Sequence, residues 1–286
     1  MSLVTMSTVL KESIAGKYAV GAFDTMDRVF TESILNAAEK KGVPVILMIV
    51  PPVLDAPDAD LFMSYVVDRC IRSSVPVALH LDHGPTFESV VKAIHFGCTS
   101  VMFDGSSLPY EENVAITRKV VELGHACGVT VEAEIGHVAG HEGNMLDGNV
   151  ADESAYTTVE EAISFYRDTS VDCLAVAIGT VHGVYKGTPK LDLKRLQEIR
   201  DALPIPIVLH GGSGLTEQDY KNLVAHGINK INFFTAMTLA ASDAVRKLVG
   251  EKDKLMMTDI IMAGQNAAEE IVSKHIEVFG TKPLSC

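Results

Sequence analysis

The sequence predicts an α/β protein: a closed (β/α)8 TIM barrel with a short N-terminal helix and an extra C-terminal helical segment. Three observations carry that prediction. Short apolar runs alternate with amphipathic segments eight times along the 286 residues, and strands alternating with helices at this spacing imply right-handed parallel crossovers. Eight such units in about 250 residues match the size of a (β/α)8 barrel. Three strands also open alike, as Val43-Pro-Val-Ile-Leu, Val75-Pro-Val-Ala-Leu and Ile205-Pro-Ile-Val-Leu, with proline at the strand start where its missing N–H does least harm. No linker-like stretch divides the chain, so residues 1–286 are expected to form one catalytic barrel domain.

Taken in order, residues 3–14 have a short helical pattern closed by Gly16. Strands are expected at 18–23, 45–50, 77–81, 100–103, 129–135, 172–178, 205–210 and 228–233. The helices between them are expected at 27–42, 58–73, 86–96, 111–127, 158–168, 192–202, 217–226 and 235–249. Asp27 is placed to cap the first of these, and Gly42, Gly97, Gly128 and Gly227 stand where helices should stop. A further helical segment, 261–278, closes the chain.

Composition narrows the function. A net charge of −13 argues against a nucleic-acid partner, which requires a basic face. It also means that an anionic ligand must be held by local devices such as a metal, backbone N–H groups or a few cations. The five cysteines are scattered and form no CxxC pair, which fits reduced thiols in a cytoplasmic protein. Residues 1–17 lack the apolar core of a signal peptide, and no window resembles a membrane span.

In a barrel of this kind, catalytic residues sit at the C-terminal ends of the strands. The polar residues found there are Asp24, Asp82 with His83, Asp104, Glu134, His182, His210 and Asn232. Histidines 83, 182 and 210 come from three different units and are able to converge on one ion, and three imidazoles with an open fourth position is a catalytic Zn²⁺ arrangement. Gly211-Gly-Ser-Gly and Asn232-Phe-Phe-Thr offer backbone N–H groups at helix starts, the usual barrel phosphate cradle, to which Gly183 and Lys186 add a donor and a cation. Lys230 lies inside the last strand, before Asn232, so a Schiff-base lysine at the mouth is disfavoured. His80 is expected to support its neighbours, and Asp104 and Glu134 to orient ligand histidines, with direct metal ligation as their alternate role.

Six motifs then resemble the class II (zinc-dependent) ketose-bisphosphate aldolases, nearest to the branch that contains the tagatose-bisphosphate aldolases. They are Pro76-Val-Ala-Leu-His-Leu-Asp-His-Gly, Val101-Met-Phe-Asp-Gly-Ser-Ser, Val131-Glu-Ala-Glu-Ile-Gly, Ala175-Val-Ala-Ile-Gly-Thr-Val-His-Gly-Val-Tyr-Lys-Gly, Val208-Leu-His-Gly-Gly-Ser-Gly and Lys230-Ile-Asn-Phe-Phe-Thr. The resemblance covers nearly the whole chain in order. It implies one Zn²⁺ per subunit held by His83, His182 and His210, with room for a monovalent cation. It further implies Asp82 as the proton-shuttling carboxylate and Glu142 as the second acid/base. Glu142 lies in a loop with four glycines in thirteen residues, the composition of a lid. Gly183, Lys186, Gly211, Ser213, Asn232 and Thr235 would hold the phosphate of dihydroxyacetone phosphate, and Asp24 would face the substrate. The implied reaction is reversible cleavage of a ketose 1-phosphate or ketose bisphosphate to dihydroxyacetone phosphate and an aldehyde, in a homodimer or homotetramer.

The chain departs from the family pattern in places. Asp24 stands where an Asn is usual, Ile49-Val50-Pro51-Pro52 replaces a Gly/Ser-rich turn, Phe234 replaces a small or acidic residue, and Ala236-Met237 stands where Glu or Gln is common. These changes surround the substrate rather than the metal, and point to an altered substrate. Two alternatives remain open on sequence alone: a metal-dependent sugar-phosphate isomerase or hydrolase, and a sugar-phosphate-binding relative without catalysis. Retention of Asp82 and Glu142 weighs against the latter.

Overall fold

The structure is a computed structural model that describes residues 2–138, 140, 153–183, 185 and 187–285. Eight parallel strands close in sequence order: β1 (Val20–Asp24), β2 (Val45–Ile49), β3 (Val77–Gly84), β4 (Ser100–Phe103), β5 (Thr130–Ile135), β6 (Cys173–Val176), β7 (Ile207–Leu209) and β8 (Ile228–Phe233). The ring is sealed where Val20 of β1 pairs with Lys230 of β8. Every residue of these strands is buried except His83, as expected for parallel strands covered on both faces.

The helices follow the predicted order: α1 (Met6–Leu10), α2 (Ser13–Gly16), α3 (Arg28–Lys41), α4 (Pro51–Leu54), α5 (Ala59–Ile71), α6 (Phe87–His95), α7 (Tyr110–Cys127), α8 (Val159–Thr169), α9 (Leu193–Ala202), α10 (Glu217–Ala225), α11 (Thr235–Glu251) and α12 (Met257–Val278). Their ends are set by local chemistry. The Asp27 carboxylate accepts from the Phe30 N–H, and Gly42 and Gly128 close α3 and α7 in the left-handed conformation. Thr86, Thr158 and Thr216 each form a capping box.

Four local expectations are corrected. The single N-terminal helix is two short ones, because the chain turns at Lys11–Glu12 before Lys17 adopts a left-handed conformation. Pro51-Pro52 opens the additional helix α4, since proline at the first helical positions removes only N–H groups that have no helical partner. The strands at 172–178 and 205–210 are shorter than expected, so His210 sits just beyond β7. β3 is longer than expected and runs on through Asp82 and His83 to Gly84.

Two apolar cores result. The larger lies between strands and helices, where residues such as Leu79, Val101 and Leu209 meet the apolar helix faces. The smaller fills the lower barrel with Val20, Ala22, Ile46, Met48, Ala78 and their neighbours, and α1 plugs it from below with Met6, Val9 and Leu10. Higher in the barrel the inward residues become polar, so the strand ends carry the chemistry.

The last helix, α12, packs on α3 and α11. Its end is pinned by Phe279, which is fully buried, stacks edge-on with Tyr220, and accepts at its carbonyl from the Ala19 N–H at 3.1 Å. Phe279→Ala should cost about 3–5 kcal/mol of stability. Urea unfolding measures it, and a loss below about 1 kcal/mol would show that α12 is not held by this anchor.

Candidate active site

Adjacent residues of a regular strand face opposite ways, yet Asp82 and His83 both reach the barrel mouth. The register with β4 shifts between Leu81 and Gly84, and His83 has a φ of 47°. This bulge, at a conformation rare outside glycine, turns the His83 ring inward beside Asp82. His182 follows β6 and His210 follows β7, and one ring nitrogen from each of the three histidines falls within 4.8 Å of the others.

Carboxylates fix how these rings present themselves. His83 Nδ1 donates to Asp104 Oδ2 at 2.7 Å, and His210 Nε2 donates to Glu132 Oε1 at 2.9 Å. With those nitrogens committed as donors, His83 Nε2 and His210 Nδ1 are left facing each other at 3.0 Å. With both rings neutral the two nitrogens would oppose lone pair to lone pair, a contact that either a proton on His83 Nε2 or a metal ion relieves. Burial, aided by the His83 charge, keeps His182 and His210 well below the ordinary imidazole range. Burial also disfavours charge on His83, but Asp82, Asp104 and Glu134 together hold its pKa well above the usual value. The donor set, nitrogen-rich and ringed by carboxylates, suits Zn²⁺. His83, Asp104 and Glu134 form a second grouping of potential ligand atoms that shares one histidine with the first.

Asp82 is fully buried. Its Oδ1 accepts from Asn232 Nδ2 at 2.9 Å, while Oδ2 has no hydrogen-bond partner among the described residues and lies 3.9 Å from His83 Nε2. Glu134 is pushed up to about 8 by burial and by the Asp104 charge. Asp104 is held by His83 and by the Ser106 N–H and hydroxyl, at 3.1 and 2.7 Å. The opposing effect of burial is outweighed, and its carboxyl stays well below the usual range.

Below this layer, Glu132 Oε2 accepts from Lys230 Nζ at 2.8 Å, and both residues are wholly buried. Lys230 is thus an ion-paired ammonium inside the barrel, not a free amine at its mouth, in agreement with the sequence expectation. His80 donates or accepts through Nδ1 with the Ser100 hydroxyl at 2.8 Å and is supporting structure, also as expected. Glu132 itself escaped the sequence reading. The alternation in Val131-Glu-Ala-Glu, which puts two acids on one face of a buried strand, was the available signal.

The anion side is built from glycine and helix starts. Gly211 has a φ of +66°, and a Cβ there would come within 2.4 Å of the Val181 carbonyl oxygen, so only glycine fits. The Ser213 hydroxyl accepts from the Phe234 and Ala236 N–H groups, each at 3.3 Å, at the start of α11, where Thr235 is buried. Tyr185, not anticipated from sequence, donates from its hydroxyl to the Gly211 carbonyl at 2.7 Å. Gly183 follows His182 directly with a φ of +77°. Glu142 and Lys186 lie outside the described residues.

Above the histidines opens a cavity of about 500 Å³ whose lining includes Asp24, His83, Asp104, Glu134, His182 and Phe234. Asp24 is buried at the end of β1, as the sequence placed it.

A barrel whose strand ends gather three imidazoles and a ring of carboxylates, with glycine turns and a helix start beside them, has the donor set of a candidate metal centre. Comparison with known proteins defines the class. The family model for class-II fructose-bisphosphate aldolase matches residues 4–283. Among curated proteins, the fructose-bisphosphate aldolase of Geobacillus stearothermophilus is 40% identical over 285 residues, covering 98% of each chain. The probable fructose-bisphosphate aldolase of Bacillus subtilis strain 168 is also 40% identical, over 98% of this chain and 99% of its own. Among solved structures, the YdjI aldolase of Escherichia coli K12 superposes with a TM-score of 0.86 at 30% identity, over 98% of both chains. The chain belongs to the class-II fructose-bisphosphate aldolase family. It is a class II aldolase, a carbon–carbon lyase.

The ring geometry gives a direct test. Asp104→Asn removes the charge that holds the His83 tautomer, and should weaken Zn²⁺ binding by about 10–100-fold. Competition against a chromophoric chelator measures this, and unchanged affinity would mean that Asp104 does not orient the ligand.

Proposed function

We propose that the protein is a Zn²⁺ aldolase that reversibly cleaves a ketose 1-phosphate to dihydroxyacetone phosphate and an aldehyde, with His83, His182 and His210 as the metal ligands. The observation that carries the reading is the facing pair of ring nitrogens at 3.0 Å, each backed by a carboxylate. When bound, the metal supplies a Lewis acid for the ketone and for the negative charge left on the departing three-carbon fragment.

The chain's own residues do the rest. Asp82, anchored through one oxygen by Asn232, keeps the other for the proton of the hydroxyl that becomes the aldehyde. Asn232 fixes that carboxylate from the opposite side of the barrel. Glu142, by resemblance, carries the proton to and from the carbon of the dihydroxyacetone phosphate fragment. The phosphate rests on Gly183, Gly211, Ser213, Asn232 and Thr235, where Ser213 already marks the N–H groups that open α11, and Lys186 supplies the cation. We take residues 1–286 as one barrel domain of a cytoplasmic homodimer or homotetramer. The start of α12 is the contact we favour, since Met256, Met257, Ile261 and Met262 are all exposed there, whereas α1 is consumed in plugging the barrel. No helix among the described residues is long and apolar enough to cross a membrane.

Metal analysis with a retro-aldol screen over ketose phosphates, coupled to detection of dihydroxyacetone phosphate, tests the reading. Activity should disappear with chelator and return with Zn²⁺, and Asp82→Asn should lower kcat by about 10²–10⁴-fold while retaining metal. Cleavage indifferent to chelator, or a trapped lysine adduct after borohydride, would refute it.

A further inference from the structure

We infer that the aldehyde half of the substrate is an uncharged group carrying apolar carbon, so that the enzyme prefers ketose 1-phosphates to ketose bisphosphates. This rests on the aldolase reading and concerns the end of the substrate remote from the phosphate cradle. With the first phosphate held over β7 and β8 and the ketone at the histidines, the aldehyde carbons project across the rest of the cavity. The wall they meet there is formed by Met26, Val50, Pro51, Pro52 and Pro85, from the loops after β1, β2 and β3, with Phe234 beside them.

That wall is unsuited to a second phosphate on three counts. The carboxylates of Asp24 and Asp104 line the same cavity and repel a dianion, and among the described residues its lining contains no lysine or arginine, its basic side chains being His83, His137 and His182. Arg28, two residues past Met26, lies over the Tyr65 ring, 5.7 Å from its centre, and shares that neighbourhood with the Tyr65 partner Glu32. Finally, the backbone of this wall is poor in donors where the short helix α4 begins, the Val53 N–H already being bonded to the Val50 carbonyl at 3.0 Å. The first two residues of α4 are Pro51 and Pro52, which have no N–H to give. Desolvating a phosphate against proline and methionine, with the Ser106 and Ser107 hydroxyls and the His137 ring as the other polar groups of the cavity and no lysine or arginine among the described lining, costs binding energy that the uncharged analogue never incurs.

The test uses the Zn²⁺-loaded enzyme with fructose 1-phosphate and fructose 1,6-bisphosphate in cleavage. In the condensation direction it uses dihydroxyacetone phosphate with lactaldehyde and with glyceraldehyde 3-phosphate. The expected result is a kcat/KM at least about 100-fold higher for the singly phosphorylated partner in each pair, equivalent to about 2.7 kcal/mol of transition-state discrimination. Pro52→Lys should narrow that ratio at least tenfold by placing a cation on the wall. Equal rates for the two substrates, or a preference for the bisphosphate, overturn this inference while leaving the aldolase reading intact. Absence of cleavage with every ketose phosphate overturns both. A ratio unmoved by Pro52→Lys would place the discrimination elsewhere than on this wall, against the proposal.

Discussion

The opposition of His83 Nε2 and His210 Nδ1 is the constraint on which the rest of the site depends. A cation between them is favourable only if both rings are held in one tautomer and one orientation, and each needs a carboxylate behind it. Those carboxylates must themselves be buried or hydrogen-bonded, which calls for Ser106 behind Asp104 and Lys230 behind Glu132. The polar interior of the upper barrel is therefore a chain of obligations that starts from two nitrogens 3.0 Å apart. An isolated buried charge anywhere along it would be expensive, and the structure leaves Glu132 and Lys230 satisfied by each other.

The barrel makes this arrangement possible because it brings distant strands to one axis. Glu132 on β5 reaches Lys230 on β8, and Asn232 on β8 reaches Asp82 on β3, across the interior. Neither pair could meet in a flat sheet of the same strand order. Apolar residues fill the lower layers, so polar groups can be concentrated in the upper ones without opening the core to water. The substrate wall, by contrast, is built from loops and one short helix, where substitution changes the cavity without disturbing the ring.

Much of this was legible from residue pattern. Eight apolar runs separated by amphipathic segments identify the barrel, and the polar residues that end those runs, from Asp24 to Asn232, are the ones found around the mouth. What periodicity hides is the bulge at His83: a regular strand would have sent either Asp82 or His83 outward, and only the register shift with β4 reconciles them. Glu132 was hidden for a different reason. It lies within a strand rather than at its end, and its importance comes from a partner nearly a hundred residues away, a relation that spacing along the chain does not encode. Tyr185, which bonds the Gly211 carbonyl, belongs to the same class. The helix at Pro51-Pro52 escaped because proline signals an interruption as readily as a helix start.

Closure of the ring also imposes an order of events. Val20 on the first strand pairs with Lys230 on the last, and the Val77 N–H on β3 bonds back to the Ser2 carbonyl at 2.7 Å. During synthesis the first strand must wait for the eighth, which emerges when most of the chain has left the ribosome. His210, and Lys230 which pairs with the Glu132 behind it, are among the later residues to appear, so a partly made chain holds His83 without the nitrogen that faces it. Capture of a metal by all three histidines would in this sense be a checkpoint on completion, since the full set of ring nitrogens exists only in a molecule that has already closed.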